Sequence, residues 1–287
     1  MMRVVKSFRH FLWLCKETFT RAEKTNTLGD SWRERLFNSI KVNLKEQSEV
    51  IAKLDYPEKD IFIDVSTFTL TKRLNAVKKE PETVRWIKKY IKPSAVVYDI
   101  GANIGVYSFI AWAASGNRGT IYAFEPGFAN YNFLCKNIYL NGCSDNVIPF
   151  PVALAEKTGA LQFNYASIQP SRAKHYLETV GKAPHKEVVP VFHQPVLSYP
   201  LDEFIKTFGI KKPHHMKIDV DGAELGLIRG ARETLRDPGL RSVLIEVYEY
   251  LPGHDEVLEI IRSAGFHETA RYPAPHGEIA NYVFEKQ

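Results

Sequence analysis

The chain has 287 residues, of which 45% are apolar, and its 38 basic and 33 acidic residues give a formal charge of +5. This composition is typical of a globular protein with one large core; it excludes a disordered chain and gives no basis for a nucleic-acid partner. The three cysteines lack paired or zinc-type spacing, so the sequence predicts neither a disulfide framework nor a zinc site.

The first 57 residues are predicted to form a helical N-terminal extension. Ten Lys or Arg and four acids fall within residues 1–45, so the remainder of the chain is close to neutral. Over residues 3–19 we expect a helix that packs its apolar face on the body, with contact to a membrane surface as the weaker alternative. The start lacks a signal-peptide pattern and no segment has the length of a membrane span, which predicts a cytoplasmic protein.

After a predicted hairpin or bent strand over residues 61–74, helices and strands alternate, which implies right-handed crossovers and a mainly parallel sheet covered on both faces. The predicted strands are 95–100, 119–126, 146–154, 214–220 and 242–248, and the predicted helices are 82–91, 105–115, 130–142, 223–237 and 255–265. Two further strands, 267–272 and 280–286, are joined only by a turn, so the last should run antiparallel. The predicted body is an α/β fold whose seven-stranded sheet has a reversed last strand.

An insertion at residues 153–213 interrupts this alternation. It is predicted to contain a hairpin of 159–165 with 187–192, a polar loop, and a short helix near 199–205. A loop of this length inside a compact domain is usually functional, so the insertion is expected to form the wall of an acceptor site. His175 and the cations beside it would suit an acidic or hydroxylated acceptor, and a solvated loop is an equally good interpretation.

The stretch VVYDIGANIGVYS, residues 96–108, predicts a strand, a turn and the start of a helix. In an open parallel sheet, ligands bind beyond the carboxyl ends of the strands near the first strand, which places this turn in the binding crevice. Gly101 and Gly105 are expected to let the backbone approach a ligand, next to the positive potential of the helix start. Asn103 replaces the middle glycine of the dinucleotide pattern, and Asp99 would repel a diphosphate and attract an ammonium or sulfonium group.

Glu125 ends the next predicted strand, twenty residues after Gly105, where it can accept hydrogen bonds from both hydroxyls of a ribose. An acid near an amino-acid head and an acid on a ribose together describe S-adenosylmethionine. The structural alternatives are a helix cap for Asp99 and a surface position for Glu125. A nicotinamide-dependent oxidoreductase is an alternative function, although it would be expected to have glycine at 103 and no acid at 99. A second alternative function is that of a protein that binds the cofactor without catalysing a reaction.

Five segments together carry a resemblance to a known family: DIGANIGVYS, FEP, VALAEKTGALQF, KIDVDGAELGLIRGARETL and LIEVYE. Over roughly residues 58–285 the chain resembles the FkbM-type S-adenosylmethionine-dependent methyltransferases. This resemblance implies a class I methyltransferase domain over residues 58–287, with S-adenosylmethionine as the cofactor. It also implies that the activity is methylation of a hydroxyl on a sugar, a glycan or a secondary metabolite.

The resemblance assigns site residues position by position. It implies a cofactor loop at Asp99, Gly101, Asn103 and Gly105, a ribose acid at Glu125, and a segment flanking the adenine at Ala153 and Leu154. The family signature Asp-x-Glu-Gly-x-Glu is matched by Asp219, Asp221, Gly222 and Glu224. Asp221 stands where glutamate is usual, which leaves its contact open.

Methyl transfer to a hydroxyl needs a base, because an alcohol is a poor nucleophile until its proton leaves. Asp219 and Glu246 are the candidate catalytic residues, since each ends a strand at the edge that faces the crevice. Helix capping is an equal alternative for Asp219. These acids with Asp221 could also bind magnesium, but no metal is predicted, because acids that cap helices give the same pattern. The acceptor and the oligomeric state stay open.

Overall fold

The computed structural model describes residues 31–46, 48–171, 175–177, 189–275 and 277–286. The chain divides into two compact units, with the division between Ile51 and Ala52. The boundary was expected after residue 57, and Leu54 and Tyr56 lie buried in the core of the second unit. The apolar helix expected over residues 3–19 lies outside the described residues.

The first unit contains helix α1 (Trp32–Glu46), which begins with a capping box. The Glu34 N–H donates to Ser31 Oγ and the Ser31 N–H donates to Glu34 Oε2, both at 3.2 Å. This exchange satisfies two backbone donors that a helix start leaves without partners. Within the described residues, no helix is long and apolar enough to cross a membrane.

The strands and remaining helices follow in chain order. The strands are β1 (Ile51–Lys53), β2 (Phe62–Asp64), β3 (Val96–Ile100), β4 (Thr120–Phe124), β5 (Val147–Phe150), β6 (Ala153–Leu154), β7 (Gly159–Tyr165), β8 (Tyr176–Leu177), β9 (Phe192–Tyr199), β10 (His215–Ile218), β11 (Ser242–Tyr248), β12 (His267–Pro273) and β13 (Ile279–Glu285). The helices are α2 (Phe68–Thr71), α3 (Ala76–Lys79), α4 (Pro81–Tyr90), α5 (Val106–Ala114), α6 (Phe128–Leu140), α7 (Leu201–Phe208), α8 (Glu224–Arg229), α9 (Arg232–Arg236) and α10 (His254–Ser263).

The main sheet has the spatial order β12, β13, β11, β10, β3, β4, β5. From β3 the chain runs outward through β4 to β5 and returns to β10 on the other side of β3, so the strand order reverses between β3 and β10. In this sheet β5, β4, β3, β10 and β11 are parallel, and β13 lies antiparallel between β11 and β12. The predicted seven-stranded sheet with a reversed last strand is confirmed. Ligands bind where the strand order reverses, which points to the carboxyl ends of β3 and β10.

Helices cover both faces of this sheet, because successive residues of a strand point to opposite faces. Val97 of β3 belongs to a core shared with α4, α5 and α6, whereas Tyr98 belongs to the opposite core with α7, α8 and α10. Helix α5 has the sequence VYSFIAWAA and is buried on nearly every side. A helix that is apolar all round has to be enclosed, and α5 is enclosed against β3, β4 and α4.

Three segments depart from the prediction. Residues 61–74 form β2, α2 and most of a 3-10 turn (Lys72–Asn75) rather than a hairpin. The strand predicted over 146–154 is divided after β5 near Pro151, which has no backbone N–H to donate to a sheet. The helix predicted over 223–237 is divided at Gly230, where an added Cβ would lie 2.2 Å from the carbonyl oxygen of Ala155.

A second sheet, of order β6, β9, β7, β8, follows the division near Pro151. Strands β7 and β9 form an antiparallel hairpin with Gly159 opposite Ser198. The return strand runs over 192–199, later than the 187–192 that was expected, and residues 187 and 188 lie outside the described part of the chain. Because β6 begins just after β5 ends, this second sheet starts at the carboxyl edge of the main sheet.

Candidate active site

A cleft opens at the carboxyl ends of β3, β4, β10 and β11. Its volume is about 1160 Å³, which includes the part of the opening that is continuous with solvent. Side chains of the second sheet and of residues 73–80 complete its lining. Its acidic lining residues are Glu80, Glu125, Asp219, Asp221 and Glu246, and its basic ones are Arg73, Lys79 and Lys217. Of the nine predicted site residues, the fold brings all but Asp99 and Gly105 to this lining.

Close backbone packing explains the two glycines of the turn after β3. Gly101 has φ +81°, and an added Cβ would lie 1.7 Å from the carbonyl oxygen of Asp219 on the neighbouring strand end. Gly105 has φ +90°, and its added Cβ would lie 2.6 Å from Leu134 Cδ1 of α6. These glycines were expected to let the backbone approach a ligand. The structure shows that they also let the turn approach β10 and α6, and the approach to a ligand stays a prediction.

The carboxylate of Asp99 lies beneath this turn and not in the cleft. Its side chain is 3% exposed, Oδ2 accepts a hydrogen bond from the Ser108 hydroxyl at 2.6 Å, and Oδ1 lies 3.6 Å from Lys217 Nζ. Among the described residues nothing donates a hydrogen bond to Oδ1. The direct attraction of a cationic ligand that was expected of Asp99 therefore lacks its geometric basis, because this charge faces a lysine inside the protein.

Glu125 follows β4 and lines the cleft with its carboxylate held by backbone donors. Oε2 accepts from the Asn103 N–H at 2.8 Å, and Oε1 accepts from the Gly127 N–H at 2.9 Å. Asn103 adopts φ +53°, a left-handed conformation that asparagine tolerates better than most residues. Burial raises the pKa of Glu125 to about 7, although the hydrogen bonds from Gly127 and Asn103 act in the opposite direction.

One side of the cleft is apolar and comes from the second sheet. Ala153 and Leu154 of β6 are buried and line it together with Phe163 of β7 and Leu177 of β8. His175 is buried among them, and its Nδ1 accepts a hydrogen bond from the Ala166 N–H at 3.2 Å. Burial lowers the pKa of His175 to about 4, so the imidazole is neutral at physiological pH.

The opposite side is acidic and is built by the ends of β10 and β11. Asp219 Oδ2 accepts a hydrogen bond from Lys217 Nζ at 3.2 Å, and Asp221 Oδ1 accepts one from the Tyr248 hydroxyl at 2.8 Å. Burial raises the pKa of Glu246 well above its ordinary value, and the charges of Asp219 and Asp221 raise it further. Three carboxylates thus lie at one edge of the cleft.

Glu224 of the family signature and His214, which precedes β10, lie elsewhere. Glu224 is buried outside the cleft lining and its Oε1 accepts a hydrogen bond from the Gly222 N–H at 2.9 Å. His214 Nδ1 accepts from the Val96 N–H at 3.0 Å, at the amino end of β3 and far from the cleft edge. Within the part of the chain that the structure describes, no three His, Cys, Asp or Glu side chains are arranged to hold a metal ion.

Several lining residues were missed from the sequence. Lys217 interrupts the apolar strand MKIDV, and a charge in such a strand is the signal that could have found it, since lysine is almost never fully buried unless paired. Tyr248 was counted only as strand. Arg73, Lys79 and Glu80 lie in a helical segment, and no local pattern indicates that it borders the cleft.

A model of the methyltransferase FkbM domain matches residues 99–268. The chain belongs to the FkbM methyltransferase family. The predicted family is thereby confirmed, and so are the class I methyltransferase fold and S-adenosylmethionine as the cofactor. This result favours a methyltransferase over the nicotinamide-dependent oxidoreductase that the sequence left as an alternative.

Individual relatives are distant. Hexuronic acid methyltransferase AglP of Haloferax volcanii is 23% identical over 176 residues, which cover 61% of this chain and 65% of that protein, less than two thirds of its length. Methyltransferase sdnD of Sordaria araneosa is 26% identical over 190 residues, covering 59% of this chain and 73% of the relative. Among solved structures, Aeropyrum pernix fibrillarin with bound S-adenosyl-L-methionine is 13% identical, with 83% of each chain covered and a TM-score of 0.46.

Proposed function

We propose that this FkbM methyltransferase methylates a hydroxyl of a sugar, a glycan or a secondary metabolite, in the cleft at the ends of β3 and β10. The acidic side of the cleft carries the proposal: Asp219, whose side chain is 34% exposed, and Asp221 both line the cleft just after β10. Carboxylates at this position favour a ligand with a cationic sulfur and disfavour a diphosphate. S-adenosylmethionine, when bound, supplies an electrophilic methyl group on that sulfur.

The lining residues fit this cofactor. Glu125 is assigned to the ribose: Oε1 accepts from Gly127 and Asn130, while Oε2 accepts from Asn103 and keeps a lone pair that can accept from a hydroxyl. Ala153 and Leu154 are assigned to the adenine, because they offer a small apolar surface in the lining of the cleft. The donor's methionine end is assigned to the acidic side, near Asp219.

Asp219 is proposed as the base and Glu246 as the residue that holds the acceptor. The side chain of Asp219 is 34% exposed, so a hydroxyl that enters from solvent can reach its carboxylate and lose a proton to it. Because the pKa of Glu246 is raised, its protonated form can donate a hydrogen bond to the acceptor. Holding the hydroxyl in line with the methyl group supplies much of the acceleration.

Arg73 supports an acceptor that carries a carboxylate. Its Nε donates to Ser171 Oγ at 2.6 Å, and among the described residues no carboxylate forms an ion pair with its guanidinium. A guanidinium in a binding cleft is suited to bidentate recognition of a carboxylate. The relative from Haloferax volcanii is a hexuronic acid methyltransferase, and we propose a hexuronate or similar acidic sugar as the acceptor here.

Calorimetric titration tests the cofactor site. Wild-type protein should bind S-adenosylhomocysteine and not NAD, and binding of NAD alone would overturn the proposal. Glu125→Ala should weaken S-adenosylhomocysteine binding by about tenfold or more, because charge-assisted hydrogen bonds are lost. Glu203→Ala removes an exposed acid outside the cleft and should leave the affinity unchanged.

Product mass analysis with labelled cofactor tests the acceptor and the base. A hexuronate should gain one methyl group and a neutral hexose should be a poorer acceptor. Arg73→Leu should lower kcat/KM for the hexuronate by roughly a hundredfold and leave the neutral hexose unaffected, with Arg73→Lys in between. Equal losses for both sugars would contradict the role of Arg73.

Asp219→Asn should bind S-adenosylhomocysteine normally and lose about a hundredfold in turnover, and full turnover would remove Asp219 from the mechanism.

A further inference from the structure

Lys217 is a buried lysine in the middle of the main sheet. It lies in β10 opposite Asp99 of β3 and Leu244 of β11, and its side chain is 6% exposed. Its neighbours in the strand, Met216 and Ile218, are buried apolar residues. Removing an ammonium group from water costs several kcal/mol unless opposite charges surround it, so a lysine at this position requires partners.

Acids from several elements face this ammonium. Asp219 Oδ2 accepts its hydrogen bond at 3.2 Å, and Asp99 Oδ1 lies 3.6 Å away. The ring centroid of Tyr107, from α5, lies 5.2 Å from Lys217 Nζ, and Glu80 and Glu246 also act on its charge. Burial lowers the pKa of Lys217, but Asp219, Asp99 and Glu80 outweigh that effect and raise it above its ordinary value. Lys217 is therefore charged throughout the physiological range.

The two aspartates differ in what they face. Asp99 is enclosed, one oxygen is bonded to Ser108, and the other points at Lys217 without a hydrogen bond of its own among the described residues. Asp219 is bonded to Lys217 by one oxygen and is one-third exposed in the cleft. The lysine thus joins an enclosed acid on β3 to a ligand-facing acid after β10, across the point where the strand order reverses.

We propose that Lys217 is the positioning residue of the cleft: Asp99 balances its charge from beneath, and Lys217 holds Asp219 where the donor's sulfur binds. This inference rests on the proposed cofactor site. Asp99 then acts on the ligand only through Lys217, and Asp219 is the acid that distinguishes a cationic sulfur from a neutral one. Without the hydrogen bond from Lys217, the Asp219 side chain is free to turn toward solvent. The preference of the cleft for a cationic sulfur over a neutral one then weakens.

Two ligands that differ by one methyl group and one charge test this proposal without an acceptor. S-adenosylmethionine carries a sulfonium and S-adenosylhomocysteine a neutral thioether, so the ratio of their Kd values measures the field at the sulfur. Removing one charge about 4 Å from another changes affinity by about fivefold in bulk water and by more where the dielectric constant is lower. Asp219→Asn should therefore reduce the preference for S-adenosylmethionine by about tenfold or more.

The deciding variant is Asp99→Asn with Lys217→Met, because it removes both charges of the enclosed pair and leaves no unpaired ion inside the protein. We expect it to lose the preference for S-adenosylmethionine to nearly the same extent as Asp219→Asn, while S-adenosylhomocysteine still binds. Lys217→Arg, which keeps the charge, should retain most of the preference. Circular dichroism melting identifies any variant that fails to fold, and Lys217→Met alone serves only as a reference for stability.

Two results would overturn the proposal. If the double variant keeps the wild-type ratio, Lys217 serves only to neutralise Asp99. If Asp219→Asn keeps the wild-type ratio, Asp219 is not the acid that distinguishes the two ligands. Failure of the wild-type protein to bind either ligand would instead overturn the cofactor site itself, so the two failures are distinguishable.

Discussion

The floor and the wall of the cleft are held in different ways. The floor, which consists of the turn after β3 and the end of β10, is fixed by backbone packing, with Gly101 against the carbonyl of Asp219. The wall, which consists of the second sheet, is fixed by side chains: the rings of Phe163 and Tyr165 lie 4.9 Å apart and those of Tyr165 and His175 5.2 Å apart. Backbone contacts tolerate little change, whereas side-chain contacts can vary one residue at a time. The floor, together with Ala153 and Leu154 of β6, suits a constant cofactor, and the rest of the wall suits a variable acceptor.

The largest expected effect concerns the floor. Gly101→Ala would place Cβ 1.7 Å from a backbone oxygen, so we expect a loss of about 4 kcal/mol or more in the free energy of unfolding, or no folded protein. Gly142→Ala is the matched control: Gly142 also has positive φ, but nothing lies within 4 Å of its added Cβ. This control should lose only about 1 kcal/mol, from backbone strain. Urea unfolding of both variants measures the difference, and similar losses would show that the close approach is not what fixes the floor.

The floor is also the region that the sequence predicted best. The strand, the turn and the acid at the end of the next strand are read from neighbouring residues, because alternation of strands and helices brings every carboxyl end to the same edge. The direction in which the Asp99 side chain points could not be predicted from neighbouring residues. Its partner Lys217 is 118 positions later in the chain, and a local pattern carries no information about which charged groups meet across strands.

The wall is expected to lose stability in acid through His175. Burial lowers the pKa of His175 to about 4 from its ordinary value of 6.5, so the unfolded chain takes up a proton in a range where the folded protein does not. The stabilisation is complete above pH 6.5 and is lost as the pH falls toward 4, with a total of roughly 3 kcal/mol.

His175→Gln should remove this part of the pH dependence. The free energy of unfolding is to be measured between pH 4 and 7.5 for the wild type, for His175→Gln and for His267→Gln, an exposed histidine of β12. Only His175→Gln should change the slope of the free energy of unfolding against pH below pH 6.5. A wild-type slope in His175→Gln would mean that the wall does not keep this imidazole neutral.

Glu125 lies where the floor meets the wall and should make cofactor binding sensitive to pH. Burial raises the pKa of Glu125 to about 7, and its protonated form accepts hydrogen bonds less well. Below pH 7 we expect the Kd of S-adenosylhomocysteine to rise by up to about tenfold for each pH unit, which is 1.4 kcal/mol. Calorimetry from pH 5.5 to 8 should show a flat profile for Glu125→Gln, and parallel profiles for the two proteins would contradict the assignment.

The smallest expected effect concerns a contact between the wall and the segment that contains Arg73. Ser171 Oγ accepts a hydrogen bond from Arg73 Nε at 2.6 Å, and the Ser171 N–H donates to Asn130 Oδ1 at 2.8 Å. Ser171→Ala removes the first bond and keeps the second, so we expect a loss of about 1 kcal/mol in the free energy of unfolding. The melting temperature should fall by a few degrees, and an unchanged melting temperature would show that this contact does not support the wall.

The wall was predicted less well because its pairing is not local. The hairpin of β7 and β9 was expected, but its return strand was placed several residues too early, since register depends on contacts across a long intervening segment. Departure of β6 from the main sheet was missed, although Pro151 marks the division. His175 was assigned equally to the acceptor wall and to a solvated loop, and its burial among aromatic rings depends on residues that a periodicity pattern does not relate.

Strand β11 delivers Glu246 and Tyr248 to the cleft, yet one of its two hydrogen-bonded neighbours is β13, which begins 31 residues after β11 ends. During translation the ribosome releases β11 first, and one of its backbone edges stays open until residues 279–285 emerge. For that interval the nascent chain exposes an unpaired strand edge beside the cleft, and another strand could pair with it. A chaperone that shields this edge would therefore raise the yield of active enzyme.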